Sequence, residues 1–133
     1  MAKPSEDERR LRILVVEDHA DSARMLETIL GKWGYEASVV GSCAGASEAA
    51  ASGDFDLAMC DIQLPDGDGA ALMRELKAAR GVRCIAVTAH VTQSETEAYV
   101  RDGIEHVLPK PYTFAQLRGV LERALGARGE NSN

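Results

Sequence analysis

Three carboxylates, a hydroxyl and an ammonium stand at the ends of short apolar runs that are far apart in the chain. Glu17 and Asp18 follow the run 12–16, Asp61 follows 57–60, Thr88 follows 84–87, and Lys110 comes shortly after 106–108. If these runs are neighbouring strands, their ends meet at one edge. Carboxylates gathered within a few ångström repel, so one of them takes a proton or a cation enters to compensate. A hard divalent ion such as Mg2+ suits that role, because it accepts one or two carboxylates, a carbonyl and several waters and leaves positions open for phosphate oxygens. A lysine and a hydroxyl opposite it can hold the other oxygens of a phosphoryl group in transfer, a reaction catalysed chiefly by positioning and charge neutralisation. No Walker glycine loop is present, so a nucleotide is not the evident donor. An aspartate can itself be the nucleophile and form an acyl phosphate. Asp61 is the central candidate.

The apolar runs 12–16, 37–40, 57–60, 84–87 and 106–108 are mostly continuous, as strands buried on both faces should be, which predicts a parallel sheet. Between them lie amphipathic stretches. The first, 20–33, places Ala23, Leu26, Leu30 and Trp33 on one stripe and stops at Gly34, which can adopt the left-handed conformation. The second and third, 44–51 and 69–79, are followed by Gly53 and Gly81. Thr92 with Glu95, and Thr113 with Gln116, have the spacing of capping boxes at the starts of a fourth and a fifth helix. Leu117, Leu121 and Ala124 give the fifth an apolar face. Strand and helix alternating five times predict a doubly wound α/β domain, in which ligands bind beyond the carboxyl ends of the strands.

The chain has 133 residues, 45% of them hydrophobic and 27% charged, which fits one soluble domain. We expect that domain over 11–126, with tails at 1–10 and 127–133. The net charge of -6 argues against a direct nucleic-acid surface, since phosphate binding requires a basic patch. No apolar run exceeds four residues, whereas a membrane span needs about 20 and a signal segment at least about 7, so no membrane association and a cytoplasmic location are expected. Cys43, Cys60 and Cys84 match no metal-pair spacing and read as reduced thiols, the last two in the core. His19, His90 and His106 share no ligand spacing, so no zinc site is expected. Gly67-Asp68-Gly69 reads as a turn before the third helix, because Leu72 replaces the last glycine of a dinucleotide loop. Asp66 and Asp68 lack the later ligands of a calcium loop. Trp33 reads as a packed helix-end residue.

Together these residues resemble the receiver domain of two-component response regulators, over roughly 11–125. The signature is distributed: Val15-Val16-Glu17-Asp18, Asp61-Ile62-Gln63-Leu64-Pro65 with Gly67 and Gly69, Ala86-Val87-Thr88-Ala89, and Lys110-Pro111. The resemblance implies a flavodoxin-like (βα)5 fold with strand order 2-1-3-4-5, an arrangement for which general descriptions of doubly wound sheets already use a family member as the example. It implies that Asp61 accepts phosphate from a histidine kinase or a histidine phosphotransfer protein. Asp18, Asp61 and the Gln63 backbone carbonyl are then the Mg2+ ligands, Glu17 contributes through water, and Thr88 and Lys110 grip the phosphoryl oxygens. A downstream effector reads the changed surface. The Lys110–Pro111 peptide is implied to be cis. Gln63 and His90, each two residues past a site residue, are implied to flank the hydrolytic water and to set the lifetime of the acyl phosphate.

Two departures stand out. Where the family usually carries Tyr or Phe, three residues before the lysine, this chain has Val107; alternation points the adjacent His106 to the other face. Val107 is branched at Cβ and holds one rotamer strongly, so a switch here must run through the loop after Thr88 and the fourth helix, where Thr92, Glu95 and Tyr99 stand. Pro109 removes a backbone donor, which an edge strand tolerates. Tyr112 is assigned to packing. Competing readings are a phosphohydrolase with an aspartyl-phosphate intermediate, for which Gln63 stands where such enzymes carry a second aspartate, and a pseudo-receiver that binds partners without phosphorylation. A stand-alone regulator and one receiver of a hybrid kinase are both compatible with the sequence.

Overall fold

The structure is a computed structural model that describes residues 10–89 and 92–126. The elements run β1 (Arg12–Val16), α1 (Ala20–Lys32), β2 (Glu36–Val40), α2 (Cys43–Ser52), β3 (Leu57–Asp61), β4 (Gln63–Leu64), β5 (Gly67–Asp68), α3 (Gly69–Arg80), β6 (Arg83–Thr88), α4 (Gln93–Arg101), β7 (His106–Pro109) and α5 (Phe114–Leu125). Five strands form one parallel sheet in the order β2-β1-β3-β6-β7, which counted among themselves is 2-1-3-4-5.

Strict alternation divides the core into two layers. Ile13, Val15, Leu57, Met59, Ile85 and Val87 face one side, where Leu26 and Leu30 of α1 and Leu117, Val120 and Leu121 of α5 cover them. Leu14, Val16, Ala58, Cys60, Cys84 and Ala86 face the other, under Ala46 and Ala50 of α2 and Leu72, Met73 and Leu76 of α3. The middle strands are buried on both faces, which is why they read as unbroken apolar runs. Helix α4 has no buried residue and only nine in all, so it is the least anchored helix among the described residues.

Helix ends follow their residues. Thr92 and Thr113 form full capping boxes with Glu95 and Gln116. Helix α2 is capped twice. Ser42 Oγ accepts the Gly45 N–H at 3.0 Å, and the Asp66 carboxylate, reaching over from the β4–β5 turn, accepts the N–H groups of Cys43 and Ala44 at 2.8 and 3.0 Å. Those backbone bonds hold the Asp66 carboxyl below its ordinary value. Asp68 accepts the Ala70 N–H and caps α3.

The boundaries shift slightly from those expected. Helix α1 stops at Lys32, with Trp33 as its C-cap and Gly34 at φ +95°; Trp33 packs partly against the core and meets Phe114 edge-on at 6.3 Å. Helices α2 and α3 each gain a residue at the C-terminal end, and α2 also begins one residue earlier. Gly81 ends α3 in the left-handed conformation, whereas Gly53 is extended. Strand β7 runs through Pro109 because it lies at the sheet edge and the next donor, the Lys110 N–H, reaches the Thr88 carbonyl at 2.8 Å. The turn expected at 67–69 is part of an antiparallel pair, β4 with β5, too short to show alternation in sequence. Cys60 and Cys84 are buried. Burial raises the Cys60 thiol well above its ordinary value and, with the Glu105 charge, pushes Cys84 up to about 12, which leaves both as core residues. The expected tails, 1–10 and 127–133, lie outside the described residues except for Arg10, and so does His90.

Candidate acceptor site at the carboxyl edge of the sheet

The strands deliver their terminal residues to one place. Backbone bonds continue past the ladder: the Glu17 N–H reaches the Val40 carbonyl at 2.9 Å, the Ile62 N–H reaches Val87 at 3.1 Å, and the Lys110 N–H reaches Thr88. Register at the edge is therefore fixed by the same hydrogen bonding that builds the sheet. Asp61 ends β3 and Thr88 ends β6, while Glu17 and Lys110 are the first residues beyond β1 and β7.

Among the described residues the buried polar or charged side chains are Glu17, Asp61 and Thr88, at 5%, 6% and 9% exposure. Two carboxylates and a hydroxyl held out of water at one sheet edge are costly unless compensated, so their convergence needs a reason beyond folding. Part of the compensation is Lys110, whose Nζ lies 2.9 Å from Asp61 Oδ1 and 3.4 Å from Glu17 Oε1. Burial alone works to lower the Lys110 ammonium, but the pull of Asp61 and Glu17 carries it above its ordinary value. Asp61 is raised, by burial first and by the Glu17 charge, against the opposing pull of Lys110. Burial also works to raise Glu17, yet the His19 N–H and the Lys110 charge carry it below its ordinary value. The site is built short of positive charge.

Glu17, Asp18, His19 and Asp61 each present a ligand atom, and these atoms all lie within 4.8 Å of one another. Hard carboxylate oxygens at that spacing fit a divalent ion. A cleft of about 290 Å³ opens beside them, lined by Asp61, Gln63, Thr88, Lys110, Glu95 and Tyr99 among others. Glu17, Asp18, Asp61, Thr88, Gln63 and Lys110 are thus assembled at one edge. Val107 is not in the cleft lining; like Tyr99, it packs against the core layer on the α2/α3 side of the sheet, while Leu108 belongs to the opposite layer. The Lys110–Pro111 peptide is cis, and Tyr112 packs against the α1/α5 layer.

Two features were not expected from sequence. Gly69 folds back on Asp61 so closely that a Cβ there would sit 1.9 Å from the Asp61 carbonyl oxygen, and its N–H donates to the Ile62 carbonyl at 2.7 Å. The second is His19, whose Nδ1 is 3.1 Å from Glu17 Oε2 and 3.6 Å from Asp18 Oδ1. The consecutive Glu-Asp-His was a signal for it, overshadowed by the absence of a second spaced histidine.

The sequence profile of the response regulator receiver domain matches residues 13–122. The transcriptional regulatory protein ZraR of Escherichia coli (strain K12) is 32% identical over 114 residues, covering 85% of this chain and 26% of that protein. The response regulator receiver protein Anae109_2439 of Anaeromyxobacter sp. (strain Fw109-5) is 34% identical over 107 residues, covering 80% of this chain and 45% of that one. The chain therefore spans less than half the length of these relatives. Among solved structures, the receiver domain of the sensor histidine kinase PA1611 from Pseudomonas aeruginosa PAO1, with a magnesium ion coordinated in its active-site cleft, aligns with a TM-score of 0.78 at 31% identity, over 90% of this chain and 100% of that one. A CheY-like receiver domain protein from Methanospirillum hungatei JF-1 shares the fold, with a TM-score of 0.83 at 24% identity over 92% and 99% of the two chains.

Proposed function

The chain belongs to the response regulator receiver domain family, and from that premise we propose that it is the phosphoacceptor module of a two-component phosphorelay, with Asp61 as the acceptor. The observation that carries this reading is the burial of Glu17, Asp61 and Thr88 together, with Lys110 against both carboxylates. An Asp61 carboxylate oxygen forms the bond to phosphorus as the P–N bond of a phosphohistidine breaks, and the departing imidazole nitrogen keeps the electron pair. Lys110, already oriented by Asp61, exchanges part of that contact for a phosphoryl oxygen, and Thr88 offers its hydroxyl from the same cleft. Asp18, Asp61 and the Gln63 carbonyl are the residues that would hold Mg2+, with Glu17 acting through water. The bound ion supplies neutralisation of the charge gathered during transfer. The module is an acceptor rather than a turnover enzyme.

Its partners are a histidine kinase or a histidine phosphotransfer protein and a downstream effector, and we place it in the cytoplasm; no helix among the described residues is long and apolar enough to cross a membrane. Gln63, exposed two residues past the acceptor, and His90, two residues past Thr88 in the sequence, are the residues to which we assign the lifetime of the phosphoryl group.

The test is intact-mass measurement after incubation with a small phosphodonor. A gain of one phosphoryl group that requires Mg2+ is expected, and no gain, or sustained phosphate release, contradicts the reading. Asp18→Ala is expected to weaken Mg2+ binding at least about tenfold by isothermal titration. Unchanged affinity removes Asp18 from the ligand set.

The switch runs through α4. Val107 offers no ring to report the position of Thr88, whereas Glu95 and Tyr99 already line the acceptor cleft from a helix with no buried residue. Between Mg2+-bound and beryllofluoride-bound protein, methyl and amide NMR is expected to show Ala89 and Thr92–Tyr99 shifting while Val107 keeps its rotamer. A large Val107 change with α4 static contradicts this.

A further inference from the structure

We propose that His19 gives the acceptor cleft a fourth protein donor, one that makes the site prefer zinc and similar transition ions over magnesium and lets them compete for Asp18 and Asp61. The inference rests on the reading of this edge as a divalent-ion site and adds a statement about which ions it takes.

His19 occupies the N-cap position of α1, but its ring makes no cap hydrogen bond to the helix. The backbone serves the site instead, donating the His19 N–H to Glu17 Oε2 at 3.0 Å. The ring turns the same way, with Nδ1 3.1 Å from Glu17 Oε2 and 3.6 Å from Asp18 Oδ1. It lines the cleft that holds Asp61, Thr88 and Lys110. One nitrogen and three carboxylate donors therefore lie within 4.8 Å of one another. Lys110 stands against Asp61 and Glu17, so part of the negative charge that the three carboxylates bring is already offset. The receiver domain of the sensor histidine kinase PA1611, which has the same fold, holds a magnesium ion in its active-site cleft.

The chemistry of the donors decides the selectivity. Magnesium demands oxygen ligands in a near-ideal octahedron and keeps several of its waters, so an imidazole adds little to its binding. Zinc is borderline, takes imidazole nitrogen as readily as carboxylate oxygen, and is satisfied by four tetrahedral donors. Glu17, Asp18, His19 and Asp61 supply four, with the neutral imidazole carrying its proton on Nε2 and binding through Nδ1. A closed four-donor shell leaves no position for a phosphoryl oxygen, whereas the open positions around magnesium do. The same residues would thus form an open site for one ion and a closed one for the other. No pair of spaced histidines marks this site in the sequence, because the partners of the imidazole are carboxylates, two of them its near neighbours in the chain.

The experiment is competitive isothermal titration of the full chain with zinc chloride and magnesium chloride, for wild type, His19→Ala and His19→Gln. His19 is exposed and caps nothing with its ring, so both variants are expected to fold, which circular dichroism checks; glutamine keeps a polar side chain without an imidazole lone pair. The ratio of zinc to magnesium affinity is expected to fall at least about tenfold in both variants, the low end of what disturbing a metal's coordination costs. In wild type, the His19 ring resonances are expected to shift on zinc addition. A ratio that stays within twofold of wild type in both variants overturns the proposal, even if Mg2+-dependent phosphoryl uptake is normal, in which case the function proposed above still stands. If wild type takes up no phosphoryl group and the ratio nevertheless falls, the phosphoacceptor reading fails and the His19 donor remains.

Discussion

Asp61→Asn is expected to abolish phosphoryl uptake, by at least about 10³-fold, while the domain stays folded and becomes more stable without metal. The loss follows from chemistry: a carboxamide oxygen is too weak a nucleophile to take the phosphoryl group, and losses of three or more orders of magnitude are usual when a nucleophile is removed. The gain follows from electrostatics. Burial and the Glu17 charge raise the Asp61 carboxyl in the fold, so the native state binds its proton more tightly than the unfolded chain does. The ionised carboxylate therefore costs wild-type stability at neutral pH, and that cost disappears as pH falls through the raised value toward the ordinary 3.8. Asparagine carries no such charge. Metal-free Asp61→Asn should melt a few °C above wild type at pH 7, and the difference should shrink as the pH is lowered through this window. Labelled phosphate on the variant at wild-type level, or a melting difference that grows on acidification, contradicts the account.

Gly69→Ala is expected to destabilise the domain by about 3 kcal/mol or more and to disable the site in whatever fraction remains folded. Its Cβ would meet the Asp61 carbonyl oxygen at 1.9 Å, the Asp61 carbonyl carbon at 2.9 Å and the Ile62 Cα at 3.0 Å, all of them backbone atoms that no rotamer change can move aside. Relief requires the acceptor residue's own peptide to shift, which carries the carboxylate away from Lys110. Gly31→Ala is the natural control. A Cβ there meets nothing within 4 Å in helix α1, so the same change should stabilise by about 0.5 to 1 kcal/mol through helix propensity. Urea unfolding of both variants decides the matter: equal effects at the two positions would show that the close approach of Gly69 to Asp61 does not govern the acceptor loop.

The contrast between these glycines shows where the sequence was legible and where it was not. The three middle strands could be read because burial on both faces leaves unbroken apolar runs, and the two capping boxes because their partners lie three residues apart. The convergence of Glu17, Asp61, Thr88 and Lys110 follows from strand ends meeting at one edge. Contacts between distant segments carry no such local mark. Asp66 caps α2 across 22 and 23 residues, and nothing in its neighbours announces that. The β4–β5 pair has two residues a strand, below the length at which alternation can register. Gly69 read as a turn residue, and only the packed loop shows that it is glycine because Asp61 leaves no room for a Cβ. The placement of Val107 followed from alternation alone, but the presence of Tyr99 at the rim of the acceptor cleft depends on how α4 lies, which its sequence periodicity does not specify.

The central claim is that Asp61 itself carries the phosphoryl group, and locating the modified residue tests it most directly. Wild-type protein treated with a small phosphodonor and Mg2+, then reduced with borohydride, should yield on peptide mapping a single homoserine in place of Asp61, because reduction of an acyl phosphate converts aspartate to that residue. Homoserine in place of Asp18 or another aspartate, or a phosphoryl group found on a histidine with Asp61 unmodified, would contradict the assignment.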